Sequence, residues 1–231
     1  MNKKKLVVLS GAGVSAESGI NTFRDSGGLW EEYNIMDVAS IEGWYKNPEL
    51  VQKFYNARRA ELEKVQPNVA HKILAELEKD FDVEIITQNI DNLHERAGSS
   101  NVLHLHGELT KARSSSDPEK IYEIGYRAIE PGEKAEDGSL LRPHVVWFGE
   151  RVPLIDAAAE KVRHADIFVI VGTSLTVTPA SSLVQMMDHN NPVYLIDPHD
   201  ILYFKTETNT IIIKEKASTG MVSLRKMLLG E

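Results

Sequence analysis

The chain has 231 residues, 42% of them apolar, which suffices for one large domain or a large domain with a small one. A formal net charge of −8 argues against general nucleic-acid binding, which needs an excess of cations, but leaves a basic peptide open as a partner. The complete absence of cysteine excludes disulfides, thiol catalysis and thiolate-bound zinc, and fits a reducing compartment. The basic start, Met1 to Lys5, is followed by an apolar run that ends at Leu9, too short for a signal-peptide core. No stretch reaches the roughly 18 apolar residues of a membrane helix. A soluble cytoplasmic protein with no membrane partner and no direct nucleic-acid partner is therefore expected, and its oligomeric state is left open, a monomer included.

Leu6-Val7-Val8-Leu9 reads as a buried parallel strand, and Gly11, Gly13 and Ala16 follow it in the loose dinucleotide pattern G-x-G-x-x-G/A. Such a loop lets backbone N–H groups approach a phosphate at a helix N-terminus. Asn68 to Leu77 places Val69, Ile73, Leu74 and Leu77 on one helical stripe, with Pro67 and Asn68 as a start signal. Further strands are read at 83–87, 102–105, 167–171, 193–197 and 210–213, and further helices at 155–164 and 221–229. Strands alternating with helices predict an α/β fold, a Rossmann-like doubly wound parallel sheet.

Two stretches break that rhythm. Residues 34–66 read as mostly helical, and residues 109–144 are rich in charge and turn formers. Together they are expected to form a smaller inserted domain. Residues 1–33, 67–108 and 145–231 are then the large, nucleotide-binding one. A dehydrogenase is disfavoured, because the second strand and its ribose-binding acid do not follow the glycine loop.

Ligands of such sheets bind at the carboxyl ends of the strands. Those ends carry Gln88-Asn89-Ile90-Asp91, His106-Gly107, Gly172-Thr173-Ser174 and Asp197. Each has an ordinary alternative: Asn89 and Asp91 as turn formers, His106 as a turn histidine, Thr173 and Ser174 as helix caps. Their coincidence on one edge favours a site. His104 and His106 are not read as sharing a metal, and the remaining histidines show no ligand spacing.

Five blocks now carry a resemblance: GAGVSAESGINTFRDSGGLW from Gly11, TQNIDNLHERAG from Thr87, LHGEL from Leu105, LRPHVVWFGE from Leu141 and GTSLTVTPA from Gly172. In this order they resemble the sirtuins, NAD-dependent protein-lysine deacylases. The resemblance implies NAD as co-substrate and acyl-lysine proteins or peptides as partners. Deacylated lysine, nicotinamide and O-acyl-ADP-ribose are the implied products. By resemblance, Gly11, Ala12, Gly13, Glu17, Thr22, Phe23, Arg24 and Trp30 belong to the loop wrapping NAD, with Phe23 and Arg24 near the reacting centre. Gln88, Asn89, Ile90 and Asp91 line the nicotinamide pocket. Gly172, Thr173 and Ser174 meet phosphate and ribose, with Asp197, Pro198 and Ala217 as further cofactor-binding positions. His106 resembles the general base, and Asn89 orients a ribose hydroxyl or a water. Val146, Trp147, Phe148 and Gly149 resemble the loop on which substrate peptide lies as an added strand. An NAD glycohydrolase or ADP-ribosyltransferase using the same pocket is the alternative.

The chain departs from the family pattern in two ways. Most sirtuins bind structural zinc through four cysteines; here the first pair would fall near Arg113 to Ser116, and no zinc or other metal is expected. Packing of Ile121, Tyr122, Ile124 and Tyr126 is the expected substitute. Asp197 stands where the family usually has asparagine, and its charge disfavours a 2′-phosphate. Finally, Tyr55 and Arg58 share a helix face and resemble the Tyr-x-x-Arg pair of sirtuins that remove succinyl and malonyl groups, whose carboxylate an arginine can grip.

Overall fold

The computed structural model describes residues 3–20, 33–188, 190–201 and 209–230. Through the first half these form β1 (Lys5–Ser10), α1 (Gly13–Ala16), α2 (Ile35–Val38), α3 (Ile41–Lys46), α4 (Pro48–Lys64), α5 (Val69–Leu77), β2 (Asp82–Thr87), α6 (Leu93–Ala97), β3 (Val102–His104) and β4 (Gly107–Ser114). Then come β5 (Ile121–Glu123), β6 (Leu141–Val145), α7 (Ile155–Arg163), β7 (Ile167–Val171), a 3-10 segment (Ala180–Met186), β8 (Val193–Ile196), β9 (Thr210–Ile213) and α8 (Ala217–Leu229).

Six strands form a parallel sheet in the order β3-β2-β1-β7-β8-β9. Its strands are unbroken apolar runs because both faces are covered. On β1, Leu6 and Val8 meet Ile73, Leu74, Leu77, Met221 and Leu224 from α5 and α8. Val7 and Leu9 meet Ala158, Ala159 and Val162 from α7 and Leu183 of the 3-10 segment. Successive side chains of a strand point to opposite faces, so one run feeds two layers. The chain winds outward from β1 to β3, then returns to β7 on the other side of β1. The crevice between the carboxyl ends of β1 and β7 is thus the topological switch point, where ligands of such sheets bind.

The start of α5 follows its sequence signal. The Asn68 side chain accepts from Ala70 N at 2.9 Å, and the His71 ring accepts from Asn68 N at 3.3 Å. The helix after the glycine loop is 4 residues long, ending at Ala16.

The 109–144 stretch, read as turns, contains an antiparallel sheet in the order β5-β4-β6. Helix α4 lies over it, with Phe54, Tyr55 and Leu62 in one apolar cluster with Leu109, Val145 and Trp147. A second cluster joins Ala112, Ile124, Ile129, Ala135 and Leu141, with Tyr122 against it. Of the four residues expected to pack here, Ile124 is in this cluster and Tyr122 lies against it. Ile121 instead is 46% exposed, and Tyr126 packs against the α4 cluster. Polar groups do much of the remaining work. Ser114 Oγ donates to Asp137 at 2.6 Å, lies 2.8 Å from Ser139 Oγ, and accepts from the N–H groups of Ser116 and Asp117. Among the described residues no group of three or more His, Asp or Glu side chains is placed to hold a metal ion, and no helix is long and apolar enough to cross a membrane.

Candidate active site

At the switch point the β1 and β7 loops touch backbone to backbone. Gly11 N donates to Val171 O at 3.1 Å and Gly13 N to Gly172 O at 2.8 Å. A Cβ at Gly11 would stand 2.7 Å from Thr173 Cβ, and one at Gly13 2.8 Å from Gly172 Cα. Gly172 itself has φ +63°, and a Cβ there would run into Val14 N. The glycines are thus needed first for this loop-on-loop contact, and the N–H groups of Gly11 and Gly13 are spent on it. Ala12, between them, is half-buried.

Behind this contact lies a buried polar network. Asp91 is 5% exposed and accepts from Ser15 Oγ at 2.9 Å and from Leu93 N at 3.1 Å. Burial raises its pKa against those two hydrogen bonds. Asn89 Nδ2 donates to Ser15 Oγ at 3.1 Å and to Gly11 O at 3.2 Å. Asn89 N donates to Thr87 Oγ1 at 3.0 Å, and Gln88 Nε2 to Thr173 Oγ1 at 3.0 Å. The segment after β2 is thereby tied to both the β1 and β7 loops. Ile90 is half-buried beside it.

His106 Nδ1 lies 2.9 Å from the Gln88 carbonyl. A carbonyl only accepts, so Nδ1 carries the hydrogen and Nε2 keeps the lone pair. Burial lowers the pKa of this histidine, the Gln88 carbonyl partly opposing it, so the ring is neutral at pH 7. A neutral imidazole with an available Nε2 is a competent general base. Val146 N donates to the His106 carbonyl at 2.9 Å, which sets the 146–149 loop against this histidine.

That loop is anchored on its other side by Phe148 N to Ala39 O at 2.9 Å and Ile41 N to Phe148 O at 3.0 Å. The Phe148 side chain is exposed and Trp147 is buried. Trp147 stacks under the Arg142 guanidinium, 3.5 Å from its ring centroid, and Arg142 is paired with Glu150 at 2.8 Å. The Trp147 side chain is therefore core, and only its backbone faces the loop's surroundings. Gly149 has φ +89°, and a Cβ there would lie 2.9 Å from Ile41 Cγ2.

Tyr55 is buried, and its hydroxyl accepts from Trp147 Nε1 at 2.9 Å, which leaves the phenolic hydrogen to donate. Burial raises its pKa to about 12, so it stays protonated. Arg58 is half-buried one turn on, 5.9 Å from the Phe54 ring centroid. Burial lowers its pKa, with Tyr55, Glu61 and Asp91 opposing.

Other expected cofactor residues have specific local partners. The Glu17 carboxylate accepts from Ser218 N at 2.9 Å and Ser218 Oγ at 2.7 Å, capping α8. Ala217 is buried at the start of that helix. Asp197 accepts from His199 N at 2.8 Å within its own turn, and Pro198 is exposed. Ser174 is half-buried, its hydroxyl 3.0 Å from Thr176 Oγ1. Thr22, Phe23, Arg24 and Trp30 lie outside the described residues. Sequence reasoning missed Ser15 as the hub of the network and His104 as a second ring on this segment; only their position beside the glycine loop and His106 hinted at either.

The Sir2 family model matches residues 11–179, from the glycine loop past the β7 loop. The chain belongs to the Sir2, or sirtuin, family. A Bacteroides thetaiotaomicron protein named NAD-dependent protein deacylase is 52% identical over 233 residues, covering 98% of each chain. Among solved structures, a Sir2 homologue–NAD complex is 40% identical with TM-score 0.88, covering 99% of this chain and 90% of that one. A Sir2 homologue variant bound to 2′-O-acetyl-ADP-ribose has the same identity and TM-score, covering 99% and 93%. For a sirtuin, NAD is the co-substrate to test against the site. Among the described residues the crevice offers amides, hydroxyls, the buried Asp91 carboxylate and the neutral His106 imidazole. This set suits hydroxyls and a carboxamide, and the residues fit NAD.

Proposed function

We propose that the chain is an NAD-dependent protein-lysine deacylase acting on acyl-lysine peptides, with succinyl and malonyl groups among those removed. The observation that carries the deacylase reading is a neutral His106, its Nε2 open, beside a peptide-length loop and a buried Asn89–Asp91–Ser15 network. In this reading residues 1–33, 67–108 and 145–231 form the large NAD-binding domain. Residues 34–66 and 109–144 form the small one. A cytoplasmic location is part of the same reading.

The residues that would hold NAD are Gln88, Asn89, Ile90 and Asp91 at the nicotinamide end and Thr173 and Ser174 along phosphate and ribose. When bound, NAD supplies the ribosyl carbon that takes the acyl oxygen as nicotinamide leaves. Asp91, desolvated by burial, accepts from a carboxamide N–H. Asn89, fixed through Ser15, orients a hydroxyl or water. His106 Nε2 takes a proton from a hydroxyl brought to it. The Val146–Gly149 loop is the segment on which an extended peptide would lie, its acyl-lysine directed inward; the N–H groups of Val146, Trp147 and Phe148 already donate within the fold, so pairing falls to the loop's remaining groups. Holding these parts close and dry lets a weak carbonyl nucleophile react.

Tyr55 and Arg58 support the acyl preference. A half-buried guanidinium, strained by desolvation, gains from an anion, and the phenolic hydrogen adds a donor. The products implied are free lysine, nicotinamide and O-acyl-ADP-ribose. Acetyl, malonyl and succinyl peptides incubated with NAD and followed by mass spectrometry test this. Arg58→Met is expected to lower desuccinylation relative to deacetylation by at least about tenfold, the loss of one charge-assisted hydrogen bond. An unchanged ratio overturns the preference, and NAD loss that needs no peptide favours a glycohydrolase.

A further inference from the structure

His104 is a buried titratable group at the site that the proposed reaction leaves unused. It ends β3, two residues before His106. Its Nδ1 lies 2.9 Å from the Asn89 carbonyl and its Nε2 lies 2.8 Å from Glu95 Oε1 on α6. Neither acceptor can donate, so both ring nitrogens carry hydrogen and the ring is an imidazolium. Its side chain is only 7% exposed. The neighbouring carbonyl, Gln88 O, is held by His106 Nδ1. Two histidines thus grip consecutive carbonyls of the segment that carries Asn89.

We propose that His104 is a positioning residue: clamped to Glu95 as an imidazolium, it fixes the Asn89 carbonyl, and through that residue both the Asn89 side chain and the preceding Gln88 carbonyl on which the His106 ring is held. The proposal rests on the deacylase reading above. Its logic is a donor count. A neutral His104 has one N–H, and the carboxylate keeps it as the stronger acceptor. Nδ1 then presents a lone pair to the Asn89 oxygen, and two acceptors at hydrogen-bond distance repel.

Among the described residues, few charged and titratable groups face His104. On α6 they are Glu95 and His94; on β4, Glu108, itself bound by Lys111 at 2.6 Å; and beyond β2, Asp91. Burial opposes the His104 charge, but the Glu95 hydrogen bond and charge, with Glu108 and the Asn89 carbonyl, outweigh it and raise the pKa above 6.5. Burial pushes His94 well below its ordinary value, so it is neutral. The clamp is therefore closed below the raised value and opens as pH rises through it.

Two near-isosteres separate the contacts. His104→Asn places an amide N–H near the Nδ1 position, facing Asn89 O. His104→Gln places one near the Nε2 position, facing Glu95. The purified full chain is assayed with NAD and acetyl-lysine peptide from about pH 6 to about pH 10. His104→Gln is expected to lower kcat at least about tenfold with peptide KM little changed, and His104→Asn to keep kcat within about threefold. Wild-type kcat is expected to fall on an alkaline limb that moves to lower pH in Glu95→Gln and is absent in His104→Asn. Equal losses in the Asn and Gln variants, or a limb unmoved by Glu95→Gln, overturn the proposal, whatever both do to Tm. The Asn89 carbonyl carbon shift, followed by NMR without NAD or peptide, provides a readout independent of turnover. It tracks the His104 ring titration if the clamp exists, and a shift that ignores the ring overturns the proposal. A wild type that shows this titration but no deacylation sinks the deacylase reading instead.

Discussion

Two buried serines are each bonded to an aspartate, and the two aspartates are driven in opposite directions. Ser15 Oγ donates to Asp91 at 2.9 Å in the candidate site, and Ser114 Oγ donates to Asp137 at 2.6 Å in the small sheet. Burial raises the Asp91 pKa. Hydrogen bonds from Ser114 and Ser139 hold Asp137 down at about 2. The pair chemistry is the same; the surroundings are not. Asp91 is 5% exposed and has lost its water. Asp137 lies at the surface with Lys120 Nζ 3.9 Å away. Each carboxylate accepts one hydrogen bond on each oxygen, so burial makes the difference: a desolvated carboxylate is poised to accept from a ligand, whereas a surface one only ties a hairpin. Ser114 and its partners form a hydrogen-bonded knot in the small sheet.

The sharpest test makes the same substitution at both serines. Ser15→Ala removes a donor from Asp91 and an acceptor from Asn89 Nδ2. Leaving buried polar groups unmatched costs about 1–3 kcal/mol, so deacylation is expected to fall about 10- to 100-fold. Steady-state kinetics with saturating NAD measures it. Ser114→Ala has the opposite profile. It strands the N–H groups of Ser116 and Asp117 and removes one of the hydrogen bonds that hold Asp137. Unfolding stability is expected to drop by about 1–3 kcal/mol, read from urea midpoints. Below the unfolding transition kcat stays within about twofold of wild type, far less than a lost catalytic contact costs. If Ser114→Ala cuts kcat as deeply as Ser15→Ala, the division between working site and structural knot is broken.

The same contrast explains what the sequence could reveal. The six-stranded sheet was legible because Leu6–Leu9 and Ile167–Val171 are apolar without a break, as strands covered on both faces must be. The polar edge was legible because topology puts Gln88, Asn89, Asp91, His106 and Thr173 where such sheets bind ligands. The small sheet was not legible. Its strands carry Glu108, Lys111, Arg113 and Arg142, which read as solvated charge. Yet Arg113 and Arg142 are buried, each paired with Glu150, which lies outside the strands. The partners of Glu17 and His104 were hidden for a related reason. The first finds its partner 201 residues away at the start of α8, and the second is defined by a carbonyl 15 residues back. Local pattern carries burial and edge position; it does not carry which distant atom completes a hydrogen bond.

The smallest expected effect is a titration, and its sign decides the comparison at the level of single protons. Asp137 has a folded pKa of about 2 against an ordinary value of 3.8. A depressed carboxylate contributes stability that is present above the unfolded value and is lost as pH falls through the folded one. Asp137→Asn keeps one acceptor oxygen and removes the charge. The gap in urea midpoint between wild type and this variant is therefore expected to hold from neutral pH down to about pH 4, then to close by about pH 2. Asp91 runs the other way, since burial raises its folded pKa. Its charged form costs stability at neutral pH, and the cost fades as acid protonates it in both states. Asp91→Asn is thus expected to unfold no earlier than wild type at pH 7 while losing activity. A constant gap for Asp137→Asn across the acid range, or an early-unfolding Asp91→Asn, would mean that the two serine–aspartate pairs differ only in position and not in electrostatic state.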